Sequence, residues 1–315
     1  MLNSKVSVIV VNWNAGIQLK ACIESILENG AGLVQEIIVV DNGSIDGSDS
    51  YAENPPSINL IRSNTNLGFG RACNIGAADA SSDYLLFLNP DAKLYAQTLP
   101  TALAYMEDSI NSSVGICGVQ LVNSDGEVSH SCTRFPTAFA FMAHSVGLDR
   151  AFPLLGHFMT EWDHGQTRHV DHVIGACYMV RRGIFENLGG FDERFFVYLE
   201  DLDFSLRAHQ AGWTSVYLTQ TQAFHAGGGT SNQVRARRLF YSQRSRLQYA
   251  YKNFSKLGAA SVLLSTIAIE PISRTFFYIL KCSLSGVRET WIAYGLLIVW
   301  LVRKIGIILT SKSLK

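Results

Sequence analysis

Over the first hundred positions, short apolar runs alternate with segments whose apolar residues recur at three- and four-residue spacing. Lys5–Val11, Glu36–Val40, Asn59–Arg62 and Tyr84–Leu88 read as strands, the last of them as a buried one. Between them, Leu19, Cys22, Ile23, Ile26 and Leu27, and later Phe69–Ala80, carry the helical period. Strands alternating with helices of about three turns predict parallel pairing through crossovers, hence an open α/β sheet. Such sheets bind ligands outside the carboxyl ends of their strands. Each end here is polar: Val11 leads into Asn12-Trp13-Asn14, Val40 into Asp41-Asn42-Gly43-Ser44, and Leu88 into Asn89-Pro90-Asp91. Pro90 has no N–H for a ladder, so the fourth strand stops there and presents Asp91 at its tip.

From Val114 the pattern is less regular. Val114–Val122 and His172–Arg181 read as strands and Leu199–Gly212 as a helix with a glycine stop, which suggests a mixed extension of the same sheet. Beyond residue 230 the character changes again. Ser231–Lys315 holds fourteen Lys or Arg against two acids, while the first 230 residues hold twelve against twenty-four, so a formal net charge of zero hides +12 beside −12. Apolar runs at Val262–Ile269 and Trp291–Val302 are edged by Arg274, Lys281, Arg288, Arg303 and Lys304, a pairing that favours an anionic lipid surface over nucleic acid. Neither run reaches the roughly 18–20 uninterrupted apolar residues of a spanning helix. Helices lying in the interface are the expectation; a spanning second helix and two ordinary core helices are the alternatives. The six cysteines are scattered without Cys-x-x-Cys spacing, which argues against a zinc site or disulfide frame. Val6–Val11 is too short for a secretory signal, so the catalytic part is expected in the cytoplasm.

Four constellations carry chemistry. Asp41-Asn42-Gly43-Ser44 suits a base or ribose contact by Asp41, or a plain helix cap by Ser44 or Asp46. Asn66-Leu67-Gly68-Phe69-Gly70-Arg71 contains Gly-x-Gly but lacks the third glycine of a dinucleotide fingerprint; a helix N-terminus beside Arg71 can still hold a diphosphate. Glu200, Asp201 and Asp203 open a helix, where acids are favoured by the helix dipole, and Asp203 can pair with Arg207; Asp201 is left over as a general base. His225 precedes the glycine run Gly227-Gly228-Gly229, which would let backbone approach phosphates. Asp91 and His225 together could bind one divalent ion along with two diphosphate oxygens.

These motifs, in this order, resemble the family 2 glycosyltransferases, inverting enzymes of the GT-A fold, and among them a bacterial rhamnosyltransferase-like branch. The resemblance runs from Val6 to about Ser231 and adds Gly189-Gly190-Phe191-Asp192-Glu193 to the pieces above. It implies a nucleotide-sugar-binding α/β half at 1–113, an acceptor-binding and catalytic half at 114–230, and a membrane-associating helical extension at 231–315. Asp41 would contact the nucleotide base; Asn12, Asn42, Asn66, Gly68, Arg71 and Asn89 would join it in the donor site. Asn89-Pro90-Asp91 stands where the family has its Asp-x-Asp metal motif, and Glu200-Asp201 at the base motif. The departure is Asn89: with one carboxylate left, His225 becomes the second protein ligand to Mg²⁺ or Mn²⁺.

The branch implies dTDP-rhamnose as donor and a polyprenyl-diphosphate-linked glycan as acceptor, in O-antigen or cell-wall synthesis at the cytoplasmic face of the bacterial inner membrane. Galactose, glucose, N-acetylglucosamine and galactofuranose donors stay open, as does homo-oligomerisation. A nucleotidyltransferase would want a Gly-rich, Arg-containing loop after the first strand, which Asn12-Trp13-Asn14-Ala15-Gly16 is not. A non-catalytic membrane recruiter would have no use for Asp91, Asp201 and His225 together.

Overall fold

The computed structural model describes residues 4–30, 32–53, 57–227 and 235–312. In chain order the strands are β1 (Val6–Asn12), β2 (Val34–Asp41), β3 (Ile58–Arg62), β4 (Tyr84–Leu88), β5 (Ala92–Leu94), β6 (Val114–Val122), β7 (Cys132–Thr133), β8 (Arg168–Val170), β9 (His172–Val173), β10 (Cys177–Arg181) and β11 (Thr214–His225). The helices are α1 (Ile17–Asn29), α2 (Phe69–Ala78), α3 (Thr98–Glu107), α4 (Ala138–Val146), α5 (Leu148–Ala151), α6 (Arg182–Asn187), α7 (Glu200–Gln210), α8 (Arg235–Asn253), α9 (Lys256–Leu264), α10 (Glu270–Leu280) and α11 (Leu284–Lys312).

Two compact units divide the chain. The first, Met1–Phe135 with His157–Thr230, is built on a nine-stranded sheet in the order β3-β2-β1-β4-β10-β6-β11-β5, with β8 alongside β11. Strands β3, β2, β1 and β4 are parallel; β10 runs against β4 and β6. Successive residues of β1 feed opposite faces: Val6, Val8 and Val10 join a core with α1 and α3, while Ile9 and Val11 join one with α2, α6 and α7. Burial on both faces is what permits the unbroken apolar strands.

Register then decides what meets at the carboxyl edge. Asn12 lies level with Asp41, and Val10 with Leu88, so the ends of β1, β2 and β4 are neighbours. Because β10 is antiparallel, its start does the same: Cys177 pairs with Leu88, and the Asn89 N–H donates to the Ala176 carbonyl at 3.0 Å. The far side reaches this edge by a kink. Pairing of β11 with β6 jumps from Leu218↔Val119 to Gln222↔Gln120, and the bulge swings the strand so that His225 pairs with Ala92 of β5.

One strand of the sequence reading divides in two. His172–Arg181 was expected to be continuous; instead β9 pairs with β7 in a separate two-stranded ladder, and the chain breaks through Ile174-Gly175-Ala176 before entering the main sheet as β10. Its apolar residues suit either ladder, so periodicity alone does not show the break.

The second unit, Pro136–Gly156 with Ser231–Lys315, is helical. Residues 136–156, placed by the linear reading in the acceptor-facing half, pack with the C-terminal helices: the Phe141 ring of α4 meets Tyr249 of α8, and Ser273 Oγ donates to the Ser145 carbonyl at 2.6 Å. At its centre Glu270 accepts from Arg246 Nη1 at 2.5 Å and Arg274 Nε at 2.8 Å. Glu270 and Pro271, read as an interruption, are absorbed by a π-helical turn at Ser265–Ile269, which leaves a continuous helical stretch. That stretch, Lys256–Leu280, is the one among the described residues long and apolar enough, by length and composition, to cross a membrane. Much of its apolar surface is open, including Ile272, Phe276, Ile279 and Leu280.

Candidate active site

At the ends of β1 and β2, polar side chains form a closed network. Asn12 Nδ2 donates to Asp41 Oδ1 at 2.8 Å and to Ser48 Oγ at 2.9 Å, while Ser44 N donates to Asp41 Oδ2 at 3.2 Å. Asn12 has no exposed surface, so the direct donor contact expected of it gives way to a holding role. Asp41 is buried, and among the described residues its carboxylate accepts two of the roughly four hydrogen bonds it could take. Asn42 ties down the next loop: its Nδ2 donates to Asn66 Oδ1 at 3.1 Å and its Oδ1 accepts from Leu67 N at 2.8 Å.

That loop delivers α2. Gly68 sits at φ 90°, and a Cβ there would lie 2.4 Å from the Phe196 carbonyl, which accepts the Phe69 N–H at 2.6 Å. Arg71, on the first turn, is half exposed and lies 3.6 Å from Glu193.

The turn after β4 and the end of β11 bring Asp91 and His225 together across 134 positions of sequence. Asp91 Oδ1 is 3.4 Å from His225 Nε2, with side chains only 10% and 13% exposed. Asn89 Nδ2 stands 3.5 Å from the same nitrogen, the outer limit of a contact. Two cis ligands of one octahedral ion stand about 3 Å apart, so carboxylate and imidazole fit one divalent cation. Among the described residues no cluster of three or more His, Cys, Asp or Glu could hold a metal. Gly228 and Gly229, expected beside the phosphates, lie outside the described residues.

Helix α7 supplies the carboxylates. Its first turn is anchored by an aromatic cluster in which Phe191 lies 4.9 Å from Phe87 and 5.6 Å from Phe204 between ring centroids. The chain enters through Tyr198 at φ 70° and Leu199 at φ 67°, a left-handed pair costing of order 1–3 kcal/mol each. Two adjacent acids emerge in opposite states. Glu200 is buried, and among the described residues its Oε2 finds no hydrogen-bond partner. Burial, then the charge of Asp201, pushes its pKa well above the carboxylate range. Burial pushes Asp201 the same way, but the His172 ring and the N–H groups of Gly175 and Leu202 outweigh it and hold the carboxyl below its ordinary value. Gly175 N donates to Asp201 Oδ2 at 2.7 Å, and Leu202 N to Oδ1 at 2.8 Å. Burial drives one carboxyl up while its neighbour is held down by hydrogen bonds and the His172 ring, a divergence of the kind found at acid–base sites. Asp203 instead pairs with Arg207 at 3.0 Å, the i, i+4 contact its spacing predicted.

His172, Thr133 and the Gly175 N–H were not anticipated. Their signal is spatial: a histidine inside an apolar run reads as core until the fold sets it beside a carboxylate.

Comparison with known proteins agrees with this geometry. The profile of Glycosyl transferase family 2 matches residues 7–189. The N-acetylglucosaminyl-diphospho-decaprenol L-rhamnosyltransferase of Mycobacterium tuberculosis is 30% identical over 234 residues, 69% of this chain and 75% of the relative. Rhamnosyltransferase WbbL of Escherichia coli is 31% identical over 169 residues, 50% of this chain and 60% of its own. Among solved structures, mannosyltransferase PcManGT from Pyrobaculum calidifontis, in complex with GDP-Man and Mn²⁺, shares the fold with a TM-score of 0.54 at 18% identity, covering 96% of this chain and 87% of that one. With the match spanning β1, β2, β4 and β10, the sheet has the GT-A architecture and the chain belongs to family 2 of the glycosyltransferases.

Proposed function

We propose that this glycosyltransferase moves a sugar, with dTDP-rhamnose the expected donor, onto a polyprenyl-diphosphate-linked glycan in a single inverting step. The observation that carries the reading is the acid pair heading α7, in which Asp201 accepts from the Gly175 and Leu202 N–H groups with His172 at 3.3 Å while Glu200 is buried beside it. Asp201 takes the proton of the acceptor hydroxyl. The hydroxyl oxygen bonds to the anomeric carbon as the bond from that carbon to the diphosphate breaks, and the departing diphosphate keeps the electron pair. Attack opposite the leaving group inverts the centre.

The remaining roles follow from position. Asp41 receives the base or ribose, and Asn12, Asn42 and Asn66 hold the loops around it. Asp91 and His225 would hold Mg²⁺ or Mn²⁺, which when bound supplies positive charge against the diphosphate. The α2 N-terminus adds N–H groups, and Arg71 can leave its exposed partner Glu193 for the diphosphate, since such surface pairs are worth only about 0–1 kcal/mol. The open apolar side chains Ile272, Phe276 and Trp291 would enter the lipid interface beside Arg288 and Arg303, at the cytoplasmic face of the inner membrane. A lipid-linked acceptor is in keeping with the decaprenol-linked substrate named for the M. tuberculosis relative.

The test uses the full chain on anionic vesicles carrying a polyprenyl-diphosphate-linked N-acetylglucosamine, with a panel of nucleotide sugars. Release of nucleoside diphosphate should be greatest with dTDP-rhamnose, stop with EDTA and return with Mg²⁺ or Mn²⁺. Preference for another sugar would replace the donor, and transfer that ignores EDTA would remove the metal role of Asp91 and His225.

A further inference from the structure

The break that splits β9 from β10 places a histidine behind the base. Thr133 of β7 and His172 of β9 are directly opposite in the two-stranded ladder, and Thr133 Oγ1 lies 2.8 Å from His172 Nδ1. The ring is buried, at 3% exposure for the residue, and its other nitrogen, Nε2, lies 3.3 Å from Asp201 Oδ2. This is an ion-pair distance without hydrogen-bond alignment, since Nε2 has no aligned partner among the described residues. Three residues further on, Gly175 donates to the same oxygen, and a Cβ at that position would come to 3.0 Å from it. Asp201 Oδ2 is thus approached by two groups and Oδ1 by one, the Leu202 N–H. Of about four lone-pair positions on a carboxylate, two accept backbone N–H groups, and the His172 ring stands at ion-pair distance from Oδ2.

We infer that His172, seated by Thr133, is a positioning residue that fixes the orientation of the Asp201 carboxylate for transfer. The inference rests on the reading of Asp201 as base. It gives the two-stranded ladder a purpose: a core strand needs an apolar side chain at this position, whereas here an imidazole is buried with one nitrogen on a hydroxyl and the other on the carboxylate. The Thr133 hydroxyl can donate to or accept from Nδ1, so it seats the ring in either charge state. Among the described residues, His172, Glu200, Tyr178 and Cys73 are the titratable groups coupled by charge to Asp201. Burial pushes Tyr178 and Cys73 upward, away from the neutral range, and Glu200 upward as well. Of the four, His172 is the one that pulls Asp201 downward.

The experiment measures kcat and donor KM between about pH 5 and pH 9 for H172F, H172Q, T133V and the reference D201N, using the donor selected by the panel above. A hydrogen bond to a charged group is worth roughly 10- to 100-fold. H172F should therefore lose about that much kcat at unchanged donor KM, with the acid limb of the profile moved to higher pH. H172Q, whose amide can donate to Oδ2, should recover most of the rate, and T133V should fall between. If H172F does not fold, T133V decides: an unmoved acid limb and full kcat would overturn the inference. Wild-type profiles for both H172F and T133V beside an inactive D201N would refute the role of His172 and leave the base standing. Near-normal turnover by D201N would remove the base itself.

Discussion

Two corners of the carboxyl edge are built on opposite terms. At the ends of β1 and β2, each side-chain polar atom of Asn12, Asp41 and Asn42 has a protein partner. At the head of α7, the backbone twists through two left-handed residues, and Glu200 carries into the core an oxygen with no partner among the described residues. Satisfied networks rigidify and stabilise, whereas strain and unpartnered buried polar atoms cost stability and concentrate where chemistry is done. The first corner therefore shapes a receptacle, and the second stores reactivity.

Substitutions can break that contrast, beginning with the largest effect. Asp201→Asn removes the ionised acceptor and should lower kcat about 10²- to 10⁴-fold, with donor binding by isothermal titration little changed. Asn12→Ala should do the reverse. It leaves Asp41 short of a donor in a buried network, and urea unfolding should report a loss of about 2–3 kcal/mol, with kcat falling less than stability does. Glu200→Gln is the mildest, because an amide replaces a carboxyl that is already neutral; less than about a tenfold change in kcat is expected. Its stability should depend on pH in a defined way. Glu200 has a folded pKa raised above its unfolded value, so its contribution is complete below the unfolded pKa and is lost as pH rises through the folded one. The variant has no such group, and its stability relative to wild type should grow across that window in pH-dependent urea melts. A constant difference would mean that Glu200 is ionised in the folded protein.

Much of this edge was legible in the sequence because its cues are local. Pro90 ends a strand, acids open a helix, and β-branched runs name the parallel strands; the fold follows from their alternation. Even the approach of Asp91 to His225 could be anticipated from the chemistry a cation demands. What stayed hidden depends on register. Asn12 and Asp41 read as ligand contacts because they are polar at strand ends, and only the level pairing of β1 with β2 turns Asn12 inward. His172 and Thr133 are 39 positions apart, and the strand break at Gly175 leaves no mark in an apolar run.

The interleaving of the helical unit also has a consequence for synthesis on the ribosome. The apolar helix α4 leaves the tunnel early, yet Arg246, which approaches Ser145, and Ser273, which bonds it, are 101 and 128 residues downstream. At 5–20 residues per second the wait is roughly 5–25 s, during which Phe141 and its neighbours have no native cover. Slower translation between the two segments lengthens that exposure and should lower the soluble yield.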